Sequence, residues 1–249
     1  MQERYLGDDK DFLKYRLLRH LENVTNFRIG LNWYLVRPED VDPPDNKDGE
    51  MRTHLTGNDS NKWQSWDKHL YDSIEFFKFD QNRFLKKFYN SKILTPNTVY
   101  FDHHVPLTRA ERTQWHQNAL LKFKDCALVF LDPDNGFEVD SARGKELAKY
   151  AFYKEALDYY RSGKALISVQ FARQVSPIKR ANDVRSKIGL EVNVIKHLPV
   201  IRGRVVPTIL FISLAPTEYY EQLKEAIKTF IEASPSMKGK NQYRVELIE

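Results

Sequence analysis

From residue 98 onward, short runs of consecutive apolar residues alternate with segments of helical period, and no other feature limits the possible folds as strongly. TVYFD (98–102), ALVFLD (127–132) and ALISVQ (165–170) read as strands with almost no polar interruption. Strands of that kind need cover on both faces, and the segments between and after them supply it. Residues 108–123 carry a capping box made by Thr108 and Glu111, and 143–162 end at Gly163. The segment 176–189 has Ser176 as cap, Pro177 at the first helical position and Gly189 as its stop. Strands separated by helices predict an α/β fold, a mostly parallel sheet with helices on both faces. Two strand-like runs then follow with no helix between them, LEVNVIK (190–196) and VPTILFISL (206–214). A C-terminal antiparallel hairpin is therefore expected, then a helix at 217–233 and an edge strand in QYRVELI.

The first hundred residues are less regular. A helix is expected from Asp8 to Val24, with Asp8 as its cap, Asp11 three residues later, and Leu13, Leu17, Leu21 and Val24 as its buried stripe. Lys10, Lys14, Arg16, Arg19 and His20 fall on its other faces, which read as solvated. RIGLNWYLV (28–36) reads as a strand. Residues 37–66 show no period and are dense in Asp, Asn, Pro and Gly, so a long loop insertion is expected there, anchored at its end by Trp63 and Trp66. Helices follow at 67–78 and 81–90. The whole of 1–249 reads as a single domain.

Composition removes several classes. The single Cys126 cannot build a disulfide framework and, opening an apolar strand, reads as core. No apolar run approaches the length of a spanning helix and the N-terminal residues lack a signal-peptide centre, so a cytoplasmic protein with no membrane partner is expected. Thirty-nine Lys and Arg against 34 Asp and Glu, a net charge of +5, permit a polyanionic partner. There is no Gly-x-Ser-x-Gly elbow and no phosphate-binding Gly-Lys-Ser/Thr loop.

Chemistry in such a sheet is expected beyond the carboxyl ends of its strands, where the strand order reverses. Asp132, Pro133, Asp134, Asn135 and Gly136 stand directly after the apolar run 127–132. These are turn-forming residues, placed where a ligand is expected. Asp102 at the end of TVYFD and Gln170 at the end of ALISVQ would share that rim.

A hydrophobic strand ending in Asp-Pro, followed by helix, strand, helix and a two-strand hairpin, resembles the second half of Rossmann-like S-adenosylmethionine-dependent methyltransferases. The stretch GDDKDFLKYRLLRHL is similar to the opening helix of the large-subunit ribosomal RNA adenine methyltransferases and of the three-Cys-motif partner proteins. The resemblance implies a Rossmann-like fold, S-adenosylmethionine as cofactor, and a base amine of nucleic acid as acceptor. It also implies a catalytic stretch Asp132, Pro133, Asp134 and Asn135, in which Asp132 accepts hydrogen bonds from the amine and orients its lone pair. Asp11, Lys14, Tyr15 and Asp102 would border the cofactor. Asn135 stands where the adenine enzymes carry an aromatic, which passes the stacking role to Phe137, and no Gly-rich turn follows RIGLNWYLV. Gln170, Arg173, Lys179 and Arg180 complete the expected substrate side.

Two other classes compete. Asp102, Asp132, Asp134 and Glu138 are hard oxygen ligands suited to Mg²⁺, as in a nuclease or phosphodiesterase, although no Glu-x-Lys follows Asp132. Arg173, Lys179, Arg180, Arg185 and Lys187, with Arg202 and Arg204 in the hairpin loop, would form a basic patch for a non-catalytic nucleic-acid-binding protein. His103 and His104 alternate across a strand and make a poor joint metal site. NKDGE lacks the ligand ladder of a calcium loop and reads as a turn.

Overall fold

The computed structural model describes residues 1–43, 52–192, 197–236 and 244–249. Its strands are β1 (Ile29–Asn32), β2 (Val99–Phe101), β3 (Leu128–Leu131), β4 (Gly136–Phe137), β5 (Tyr150–Ala151), β6 (Ala165–Ala172), β7 (Val200–Gly203), β8 (Thr208–Leu214) and β9 (Val245–Ile248). Seven of them form one sheet in the order β2-β1-β3-β6-β8-β7-β9, while β4 and β5 pair separately. β2, β1, β3 and β6 run parallel, and β8, β7 and β9 continue the sheet in antiparallel pairs. The expected α/β architecture with a C-terminal hairpin is what forms. The later strand of the hairpin, β8, is the one that docks on β6, leaving β7 outside it.

Alternation within the strands sorts their side chains into two cores. Leu128, Phe130, Ile167 and Phe211 pack on one face, and Val129, Leu131, Leu166 and Ile212 on the other. The first face is covered by α1 (Asp9–Thr25) and, much later in the chain, α10 (Thr217–Glu232). Gly203 lets α1 approach the sheet closely, since a Cβ there would lie 2.6 Å from Leu13 Cδ1. The second face is covered by α7 (Arg109–Lys122), α8 (Tyr153–Arg161) and α9 (Pro177–Glu191). Thr108 caps α7 and Ser176 caps α9 as their sequences require.

Several boundaries differ from expectation. β1 ends at Asn32, and Trp33 to Val36 run on as buried chain rather than strand. The stretch read as a loop contains α2 (Pro38–Val41), α3 (Thr53–Thr56) and α4 (Ser60–Trp66), built around Trp63, which packs on Phe12 of α1. NKDGE lies outside the described residues. α5 (Lys68–Glu75) and α6 (Leu85–Asn90) replace the two helices expected at 67–78 and 81–90, with 3₁₀ turns between them. The expected helix 143–162 is a 3₁₀ turn, then β5, then α8, because Phe137 and Gly136 pair with 150–151 and pull that segment extended. Helix α9 runs on past Gly189 to Glu191, so LEVNVIK begins as helix, and its residues 193–196 lie outside the described residues. The partner of β8 is Val200–Gly203 instead, which puts Arg202 in a strand. Among the described residues no helix is long and apolar enough to cross a membrane.

Candidate functional site

The strand order locates the site. From β1 the chain moves outward to β2 and then crosses back past β1 to β3, so the order reverses between β1 and β3. A crevice is expected outside the carboxyl ends of those two strands. A cavity of about 380 Å³ opens there, of a size ordinary for small-molecule sites. It is lined by Asp132, Pro133, Asp134 and Asn135 after β3, by Phe171 near the end of β6 and Arg173 just after it, and by Asp8, Lys10 and Lys14 at the start of α1.

Its electrostatic centre is Lys14. The Lys14 Nζ lies 3.0 Å from each oxygen of Asp132 and 2.7 Å from Asp11 Oδ1, all three side chains being buried. Asp11 is held in turn by the Tyr15 hydroxyl at 2.9 Å and the Gly7 amide at 3.0 Å. Burial by itself would lower Lys14, but Asp11 and Asp132 more than offset that and hold the ammonium above its ordinary range. Burial pushes Asp132 up, with Lys14 opposing. Asp8 is pushed well up by burial and by the Asp11 charge. Asp132 remains a capable acceptor, because a carboxylate offers about four lone-pair sites and Lys14 takes two of them.

Around this centre runs a second network. The Met1 amino group lies 3.0 Å from Asp134, and Gln2 Nε2 donates to both Asp134 and Asp42, at 2.9 and 2.6 Å. Arg4 and Lys149 also bind Asp42. Burial would raise the Asp42 carboxyl, but the hydrogen bonds from Lys149 and Gln2 bring it below the usual range. Tyr5, which also lines the cavity, is pushed up to about 12 by burial and by Asp134.

The structure therefore brings together only part of the expected set. Asp132 to Asn135, Lys14 and Arg173 line the cavity, and Asp11 stands behind it. Tyr15 is buried and faces Asp11, not the cavity. Asp102 is exposed at the end of β2 and accepts from the Tyr89 hydroxyl at 2.9 Å. Gln170 Oε1 accepts from the Phe137 amide at 2.9 Å and so fastens the loop after β3. Phe137 is buried and stacked on Tyr153 with centroids 4.7 Å apart, so it cannot stack on a base. Phe171, half-buried with the Arg173 guanidinium 5.6 Å from its ring centre, and Tyr5 are the aromatics that line the cavity.

The Mg²⁺ ligand set does not assemble. Asp132 is engaged by Lys14, Asp134 by Met1 and Gln2, and Glu138 by the Tyr153 amide at 3.0 Å, while Asp102 stands two strands away. Among the described residues no three His, Cys, Asp or Glu side chains form a group that could hold a metal ion. The basic patch is also largely spent internally. Lys179 pairs with Asp183, Lys187 with Asp140, and Arg202 and Arg204 with Glu246, while Arg185 donates to the Leu198 carbonyl. Arg180 is half-buried on α9 and is not part of the cavity lining.

The end of β1 does not fit S-adenosylmethionine. Trp33 and Tyr34 are fully buried where a Gly-rich turn would expose backbone to the cofactor. The Tyr34 amide donates to Asn32 Oδ1, its hydroxyl to Glu155, and its carbonyl accepts from the Met1 amino group at 2.8 Å. The polar groups of Tyr34 are therefore engaged within the protein, whereas the buried Trp33 indole Nε1 has no hydrogen-bond partner.

The chain matches no family model, no curated protein and no solved structure.

Sequence reading did not single out Gln2, Tyr5, Asp42, Lys149 or Phe171. Only Phe171 carried a local signal, as the residue continuing the ALISVQ strand beyond Gln170.

Proposed function

We propose that this protein binds nucleic acid on a methyltransferase-like scaffold and holds an amine-bearing base in the cavity at Asp132 to Asn135. The observation that carries this reading is the position of Asp132. It is a buried carboxylate at the switch point, with Lys14 fixing both oxygens and lone pairs left over to accept from an exocyclic amine. Phe171 offers a ring to a base, and Arg173 brings positive charge to the cavity for an attached phosphate, while Lys10 is held by Asp9 at 2.6 Å. The closed end of β1, with Trp33 and Tyr34 buried, speaks against methyl transfer at this site.

Calorimetric titration with AMP and IMP tests the proposal, since IMP carries a carbonyl where AMP carries the exocyclic amine, with purine riboside 5′-monophosphate, which lacks only the amine, as the control for the IMP N1–H. A hydrogen bond to a charged acceptor contributes about 1.5–3 kcal/mol, so AMP should bind about ten- to a hundredfold more tightly. Asp132→Ala should abolish that preference and leave the fold intact, because Lys14 keeps Asp11 as its partner. Equal affinity for AMP and IMP in the wild type overturns the assignment. Saturable binding of S-adenosylmethionine, weakened by Asp102→Ala, would return the balance to methyl transfer.

A further inference from the structure

Residues 76–87 form a compact knot that presents aromatic rings to solvent. Phe76, Phe79 and Phe84 are 47%, 57% and 50% exposed, whereas their neighbours Phe77 and Phe88 are buried at 1% each. The knot is held from within. Arg83 donates to the Phe77 carbonyl at 3.2 Å and to the Arg4 carbonyl at 3.0 Å, and Asn82 Nδ2 donates to the Phe76 carbonyl at 2.8 Å. Lys87 Nζ bonds the Gln81 carbonyl at 2.6 Å and lies 5.8 Å from the Phe76 ring centre. The rings are thus exposed on a fixed backbone, which fraying cannot explain. Large apolar side chains normally bury, and three of them left exposed between residues 76 and 84 mark a contact surface.

The charge around the rings selects the partner. Between Glu75 and Lys92 the chain carries Lys78, Arg83, Lys86, Lys87 and Lys92 against Glu75 and Asp80, and Asp80 is paired with Arg83. Phe84 also lines a second cavity with Arg4, Arg37 and His104, where Glu3, held by the Leu85 amide, Asp80, paired with Arg83, and Glu39 supply the acidic groups. The two cavities share the N-terminal segment in their walls: Glu3 and Arg4 line one, Met1 and Tyr5 the other.

We infer that Phe76, Phe79 and Phe84 form a stacking platform for single-stranded nucleic acid, whose strand runs over the Arg4–Arg37 cavity toward Asp132. Unpaired bases offer the ring faces that stacking needs, and cations spaced among aromatics track the phosphates, a combination that tolerates any sequence. Duplex bases are already stacked and gain nothing from the platform. The inference deepens the base-binding reading by naming the form of its substrate, and it rests on that reading only for the direction of the strand.

Fluorescence anisotropy with fluorescein-labelled dT20, single-stranded and annealed to dA20, tests it. Thymine lacks an exocyclic amine, so this probe reports the platform and not the Asp132 acceptor. The triple variant Phe76→Ser/Phe79→Ser/Phe84→Ser should lose at least tenfold in affinity for dT20 while leaving duplex affinity unchanged. Lys78→Glu/Lys86→Glu should weaken both and flatten the salt dependence. Unchanged dT20 affinity in the triple serine variant overturns the platform, as does a wild type that fails to bind dT20 at low salt. Sedimentation showing a wild-type dimer that the same variant dissolves would assign the rings to a second copy and also overturn it. The AMP preference over IMP is measured separately, so either reading can fail alone.

Discussion

Asp8 caps α1 through its bond to the Asp11 amide at 2.8 Å, yet it does so as a buried carboxyl beside Asp9 and Asp11. Burial and the Asp11 charge raise its pKa well above the ordinary carboxyl value. The folded state therefore holds the Asp8 proton more tightly than the unfolded chain does. Stability from that proton is complete below the ordinary carboxyl range and is lost as pH rises through the raised folded value. At neutral pH the Asp8 charge thus works against the fold. Asparagine caps as well without the charge. Asp8→Asn should raise the melting temperature at pH 7 to 8, with the gain shrinking as pH falls toward 4. A loss of stability at neutral pH would show instead that Lys10 and Lys14 depend on the Asp8 charge.

At the scale of elements, the loop from β3 to β4 places the site, and Gly136 makes that loop possible. Its φ is +92°, and a Cβ there would lie 2.6 Å from the Gln170 side-chain amide that fastens the Phe137 backbone. Gly136→Ala combines a left-handed backbone with a clash and should cost about 1–3 kcal/mol in urea unfolding. It should also lower AMP affinity, since Asp132 to Asn135 would shift with the loop. Stability loss with AMP affinity unchanged would separate this loop from the site. Helix α1 shows how far an element can be read. Its cap, its start and its leucine stripe were legible, because they are set by neighbours three and four residues away. Its solvated face was not. Lys10, Lys14 and His20 are buried while Val24 is 48% exposed, because α10, α5 and the strand ends close around the helix from distant parts of the chain.

Across the whole molecule, the sheet divides the interior into two cores, so its central strands tie both sides together. Phe130 in β3 is fully buried and meets Phe211 of β8 with ring centres 6.1 Å apart. Phe130→Ala should destabilise by about 3–5 kcal/mol, with tryptophan fluorescence and far-ultraviolet circular dichroism shifting together in one transition. Two separated transitions would mean that the two faces unfold independently.

The alternation of apolar strands and capped helices determined the α/β class, the parallel core and the place of Asp132 at a strand end. Those are consequences of period and capping, which act within a few residues. Which charges meet was decided by the tertiary structure alone. Lys14 reaches Asp132 across 118 residues, Phe137 turns inward because Tyr153 is there to stack on it, and the end of β1 closes because Met1 bonds to Tyr34. The four carboxylates expected to share a metal are drawn to separate partners instead. A buried charge takes the nearest opposite charge or donor the fold brings to it, and that neighbour is set by the packing of elements far apart in the chain.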